Sequence, residues 1–153
     1  LTRWQFLILC CFLALDEEMN SVEAKNSQSI QYSPGSVSRA ERAMRCSPFL
    51  LPLFAAMRST SVPLQAIAGA SGVQHSYTRH PVRELGAESS LLWLIQVGIL
   101  RREVDGQGIT DSFRLTPLGR QLVEKWELQG GSWPAPSLGD RFYNALNRWF
   151  RLF

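Results

Sequence analysis

Cysteine is scarce in this chain. Cys10, Cys11 and Cys46 are the three present, two of them adjacent, with no C-x-x-C pair and no even-numbered framework. That excludes a disulfide-stapled scaffold and fits a reducing interior, so the expected location is cytoplasmic. Histidine is scarcer still: His75 and His80 have no partnered cysteine, so no metal site is expected. A G-x-S-x-G elbow is missing, because Gly69-Ala-Ser-Gly72 lacks the spacing. A dinucleotide loop is missing too, because Gly106-x-Gly108 has neither the third glycine nor the strand-to-helix context. The acids are scattered, with no pair placed for acid–base work. These absences point to a non-enzymatic protein with no cofactor and no small-molecule substrate evident.

Long apolar runs are also few. Trp4 to Leu15 has the length of a signal-peptide core and is too short to span a bilayer comfortably. Only Arg3 precedes it, and Asp16-Glu-Glu18 follows where small residues would mark a cleavage site. A start at Met19, with residues 1–18 as an upstream extension, accounts for this better than a secretion signal does. Residues 1–36 as a whole are expected to be an extension plus a polar, mobile leader.

What remains is ordinary globular material. Across 153 residues, 45% apolar and 19% charged composition supports one buried core, and disorder throughout is excluded. The net charge of +3 permits an anionic partner without requiring one. The first 18 residues carry one arginine against three acids, so the foldable part holds the positive charge.

Helix signals fill the first half of that part. Ser38 and Glu41 have capping-box spacing ahead of a segment in which Arg39, Arg42 and Arg45 recur about once per turn. A solvated basic face explains them, as does phosphate contact. Phe49, Leu50, Leu53, Phe54 and Met57 form a core-facing stripe. The segment VPLQAIAGASGV predicts a short helix capped by Ser61, with Pro63 in its first turn and Gly69 and Gly72 as stops. A long turn from Ala70 to His80 follows, in which Tyr77, Arg79 or His80 can touch a phosphate. Pro81 opens a third helix through Ile99, apolar nearly all round in its second half and therefore deep in the core.

Leu100 to Val104 and Ile109 to Leu115 read as two strands joined by Asp105-Gly-Gln-Gly108, a β-hairpin. Thr116 then caps a helix with Pro117 at its first position, buried through Leu118, Leu122, Val123 and Trp126. The expected fold class is mainly α with a β-hairpin: a winged helix-turn-helix domain over residues 37–128, a Gly/Pro/Ser linker over 129–139, and an amphipathic helix over 140–153.

Two stretches carry a resemblance. Leu94 to Arg102, with Leu-x-x-x-Gly-Ile-Leu-x-Arg, and Arg114 to Gly119, with x-Leu-Thr-x-x-Gly, resemble the recognition-helix end, wing and closing helix of regulators of the multiple-antibiotic-resistance-repressor kind. The segment from Tyr32 to Trp126 also resembles a small uncharacterised cyanobacterial protein family. The first resemblance implies a DNA-binding protein, a transcriptional regulator acting as a dimer, with Arg83, Ser89 and Ser90 as helix contacts and Arg101, Arg102 and Arg114 on the wing; Arg79 joins them from the turn. Glu84, Glu88, Glu103, Asp105 and Asp111 stand on the same surfaces and oppose phosphate binding. A protein-interaction adaptor is therefore the alternative, since fold does not dictate function.

In the tail, Ser137 and Asp140 can cap a helix that places Phe142, Ala145, Leu146, Trp149, Phe150 and Phe153 on one face, with Arg141, Arg148 and Arg151 beside or opposite it. Phe142, Leu146, Trp149, Phe150, Arg148 and Arg151 are the residues expected to touch a protein partner, a second copy or an anionic membrane surface. Packing back onto the domain is the competing expectation.

Overall fold

A computed structural model describes residues 30–150. The expectations for residues 1–29 and for Arg151 and Phe153 lie outside the described residues.

The first helix, α1 (Pro34–Cys46), begins one turn before Ser38. Ser33 is its N-cap, accepting from the Ser36 N–H at 3.3 Å, and Pro34 occupies the first turn, where a missing N–H costs nothing. Glu41 is thereby freed from capping and pairs with Lys125 instead. The folded part thus starts ahead of residue 37. Helix α2 (Leu51–Ser59) buries Leu53, Phe54 and Met57 as the stripe predicted.

The next segment departs from the expected single helix. Val62–Pro63 form β1, pairing with Phe113 and Ser112 at a sheet edge, where proline is tolerated. Two short helices follow, α3 (Leu64–Ile67) and α4 (Gly69–Gln74), divided where Gly69 adopts φ +62° and its N–H reaches the Val82 carbonyl. Gly72 is no stop signal. A Cβ there would sit 2.1 Å from the Ile67 carbonyl oxygen, so this position is glycine because backbone passes against it.

Helix α5 (Glu84–Gln96) is shorter than the periodicity suggested at both ends. Val82 and Arg83 are extended or bridged at its start, and Gly98 at φ +85° ends it. The Gly98 N–H reaches Ile95 O and the Ile99 N–H reaches Leu94 O, a Schellman closure that turns the chain directly into the hairpin.

Strands β2 (Leu100–Asp105) and β3 (Gly108–Leu115) form that hairpin, and β1 joins on the far side of β3 to give a three-stranded antiparallel sheet of order β1-β3-β2. Its register pairs Leu100 with Leu115, Arg101 with Arg114 and Arg102 with Phe113, with an irregularity before Val104. Asp105 closes the turn by accepting from the Gln107 N–H at 2.8 Å. Helix α6 (Pro117–Leu128) starts at the Thr116 cap as expected. The class is accordingly mainly α with a β-hairpin.

The core joins all these elements: Met44, Phe49, Phe54, Leu91, Leu94, Ile99, Phe113 and Val123 are fully or almost fully buried. The connector after α6 is tied to it. Trp133 packs edge-on against Phe54 at 5.8 Å and Trp126 at 6.3 Å, holding the stretch whose composition suggested a linker. Helix α7 (Leu138–Phe150) closes the described chain. Among the described residues no helix is long and apolar enough to cross a membrane.

Candidate binding faces

Two surfaces carry the residues singled out from sequence: the start of α5 with the hairpin, and α7. On the first, the arginines divide into two groups. Arg102 is enclosed by carboxylates, with Nη2 at 3.2 Å from Glu88 and Nη1 at 3.4 Å from Asp111, and its guanidinium lies 5.6 Å from the centre of the Phe113 ring. Arg114 pairs with Glu103 at 3.7 Å and donates to the Ser59 carbonyl at 2.7 Å. Both side chains are only 29% exposed. Arg79, Arg83 and Arg101 are exposed and have no ion pair or hydrogen-bonded side-chain partner among the described residues.

The two serines are likewise engaged within the chain. Ser90 Oγ donates to the Gly86 carbonyl at 2.9 Å, and Ser89 Oγ accepts from the Arg148 guanidinium of α7. Between these polar groups the surface is apolar: Leu85 is 80% exposed on α5, and Val104 and Ile109 project from the hairpin tip. The face is therefore mixed in character, with three free cations, two neutralised ones and exposed aliphatic side chains.

Helix α7 is capped as its sequence suggested, though it begins at Leu138 rather than at residue 140. Ser137 Oγ accepts from the Asp140 N–H at 3.0 Å and the Ser137 N–H donates to Asp140 Oδ2 at 3.2 Å, a reciprocal capping box. The N–H of Ser137 donated to the carboxylate, and then the Ser137 hydroxyl beside it, hold the Asp140 carboxyl below its usual range, with Arg45 and Arg42 adding to the effect. Burial, and then the Asp140 charge, push the neighbouring Cys46 thiol up.

The helix is turned the opposite way from the packing expectation. Its polar side meets the domain: Asp140 lies 3.4 Å from Arg42 and 3.5 Å from Arg45, Asn144 Oδ1 accepts from the Trp93 indole N–H at 3.0 Å, and Arg42 sits 4.7 Å from the centre of the Tyr143 ring. With the Arg148 bond to Ser89, this fixes α7 against α1 and α5. The reason lies in the receiving surface. Trp93 is buried, and covering its N–H and the α1 arginines with aromatic rings would leave buried polar groups unpaired.

The aromatic side consequently faces outward. Phe142, Trp149 and Phe150 are 68%, 67% and 73% exposed, with Tyr143 and Leu138 also open; Leu146 is half-buried. Sequence reasoning found the aromatic residues and the capping role of Asp140 but missed its pairing with Arg42 and Arg45 and the bond between Asn144 and Trp93. No periodicity marks an asparagine whose partner is a tryptophan 51 residues away.

The described chain is thus a mainly α domain carrying a small antiparallel sheet and an outward-facing terminal helix. It belongs to the Npun_F0494-like family, whose model it matches over residues 30–148, a span that takes in α7 as far as Arg148. No curated protein and no solved structure matches it.

Proposed function

We propose that this chain is a non-enzymatic winged-helix protein-interaction module that associates through the outward side of α7, its first partner being a second copy of itself. The strand order β1-β3-β2, with a helix-turn-helix before the hairpin, supports the winged-helix reading. The observation that carries the functional part is the orientation of α7. A helix held by its polar side presents Phe142, Trp149 and Phe150 without further ordering, and rigid aromatics of this kind dominate protein interfaces. Two such faces from symmetry-related copies are self-complementary.

A bilayer is a poorer occupant. Arg141 and Arg148 are the described cations of the helix, and Arg148 is turned toward Ser89 on the domain side, so the outward face has weak basic character and attaches weakly to anionic lipid.

DNA binding is retained as a second reading because Arg79, Arg83 and Arg101 are exposed and unpaired. Each free arginine on phosphate adds to affinity and to its salt dependence, whereas Arg102 and Arg114 already face Glu88, Asp111 and Glu103. Titration of a random duplex at several salt concentrations separates the two. The protein-interaction reading expects little binding and a shallow slope; tight binding that falls steeply with salt would favour a regulator of DNA. Self-association is read by sedimentation, and a chain that stays monomeric at the highest soluble concentration would overturn the second-copy assignment.

A further inference from the structure

A cavity of about 510 Å³ lies between the end of α1, the segment leading into α5 and the connector into α7. We propose that it binds a small organic molecule bearing a phosphoryl group. The volume falls within the range of small-molecule sites. Arg45, Arg79 and Arg141 reach its wall from three separate parts of the chain, and among the described residues no acidic side chain lines it. Phe49, Val82 and Trp133 supply apolar wall.

Two of the three arginines have no structural duty that explains their place at the wall, and the third, Arg45, is only partly used by its contact with Asp140. Arg79 and Arg141 have no ion pair or hydrogen-bonded side-chain partner among the described residues. Arg45 reaches Asp140 at 3.5 Å through Nη1, while its Nε is buried without a hydrogen-bond partner. Three like charges around one cavity, one of them carrying a buried Nε without a partner, favour an anion that completes the set.

The number of cations selects the anion. A carboxylate is satisfied by one guanidinium fork, whereas a phosphoryl group offers three acceptor oxygens and up to two charges to three forks. The Trp133 ring and its apolar neighbours then favour an organic body over free phosphate. Trp133 is already braced by Phe54 and Trp126, so its position does not await the ligand.

The test uses the full chain with Cys10→Ser and Cys11→Ser, leaving Cys46 on the cavity wall as the sole thiol. Phenyl phosphate, inorganic phosphate and benzoate are titrated at constant ionic strength by calorimetry, with the rate of Cys46 alkylation at mildly alkaline pH reporting occupancy. Phenyl phosphate is expected to bind saturably and protect Cys46, with phosphate and benzoate each weaker by roughly tenfold or more, a difference of one lost anchor. Arg79→Gln with Arg141→Gln should weaken phenyl phosphate by at least about tenfold while leaving the circular dichroism spectrum unchanged. Arg120→Gln, removing an exposed cation outside the cavity, should match the parent. Absence of protection by phenyl phosphate, equal affinity for benzoate, or an equal loss in the Arg120 variant would overturn the proposal.

Discussion

At the scale of single residues, the motifs that most resemble a regulator prove to be parts of the chain's own construction. Thr116 accepts from the Gly119 N–H at 3.2 Å, and its hydroxyl donates to the Gly98 carbonyl at 2.6 Å, with Ile99 O at 3.0 Å. One side chain therefore caps α6 and ties it to the turn that ends α5. Gly119 lies where a Cβ would meet the Ile99 carbonyl oxygen at 2.4 Å and a Leu115 methyl at 2.7 Å. Gly119→Ala is expected to lower stability by about 1–3 kcal/mol, since backbone cannot yield as a flexible side-chain end can. Urea unfolding would register this as a lower midpoint with an unchanged slope, and an unaltered midpoint would contradict the tight approach. The hairpin arginines give a second prediction at this scale. Glu88→Gln with Glu103→Gln removes a carboxylate from both Arg102 and Arg114, and should raise duplex affinity and steepen its salt dependence relative to the parent. No change in the slope would mean that these carboxylates are not what restrains the arginines.

At the scale of elements, α7 carries the main consequences. Ser137→Ala removes the cap acceptor and should weaken the helix by about 1 kcal/mol, seen as faster amide exchange across residues 141–146 with the core amides unaffected. Asp140 adds a pH dependence whose sign follows from its lowered value. The bound helix retains the full contribution of the carboxylate above the ordinary carboxylate range and loses it as pH falls through the lower folded value. The difference in α7 protection between the parent and Asp140→Asn should therefore be largest near neutrality and vanish in acid; a difference that persists there would reject the ionic contribution.

These elements also show what the sequence made legible. The hairpin was readable because alternation, turn residues and a Thr-Pro start agree over a short span. The capping box of α7 was readable for the same reason. The strand at Val62–Pro63 was not, because its pairing with Phe113 and Ser112 is fixed by residues far along the chain. Nor was the direction in which α7 faces: amphipathicity marks an apolar side, and only the polar needs of Trp93, Arg42 and Arg45 decide which side turns inward. The cavity residues were invisible as a group, since Arg45, Arg79 and Arg141 belong to three unrelated local patterns.

At the scale of the whole molecule, the core and the polar attachment of α7 leave an aromatic face that the described chain does not cover. Placing such rings in water is unfavourable, and association would relieve that exposure. The face is also separable from the fold, because Phe142 and Trp149 contribute little to the buried core. Sedimentation of the full chain beside its Phe142→Ser, Trp149→Ser variant is therefore the most direct measurement. The parent should shift from monomer to dimer as its concentration rises, and the variant should stay monomeric with its unfolding midpoint unchanged. A parent that remains monomeric throughout, or a variant that dimerises equally well, would contradict the account.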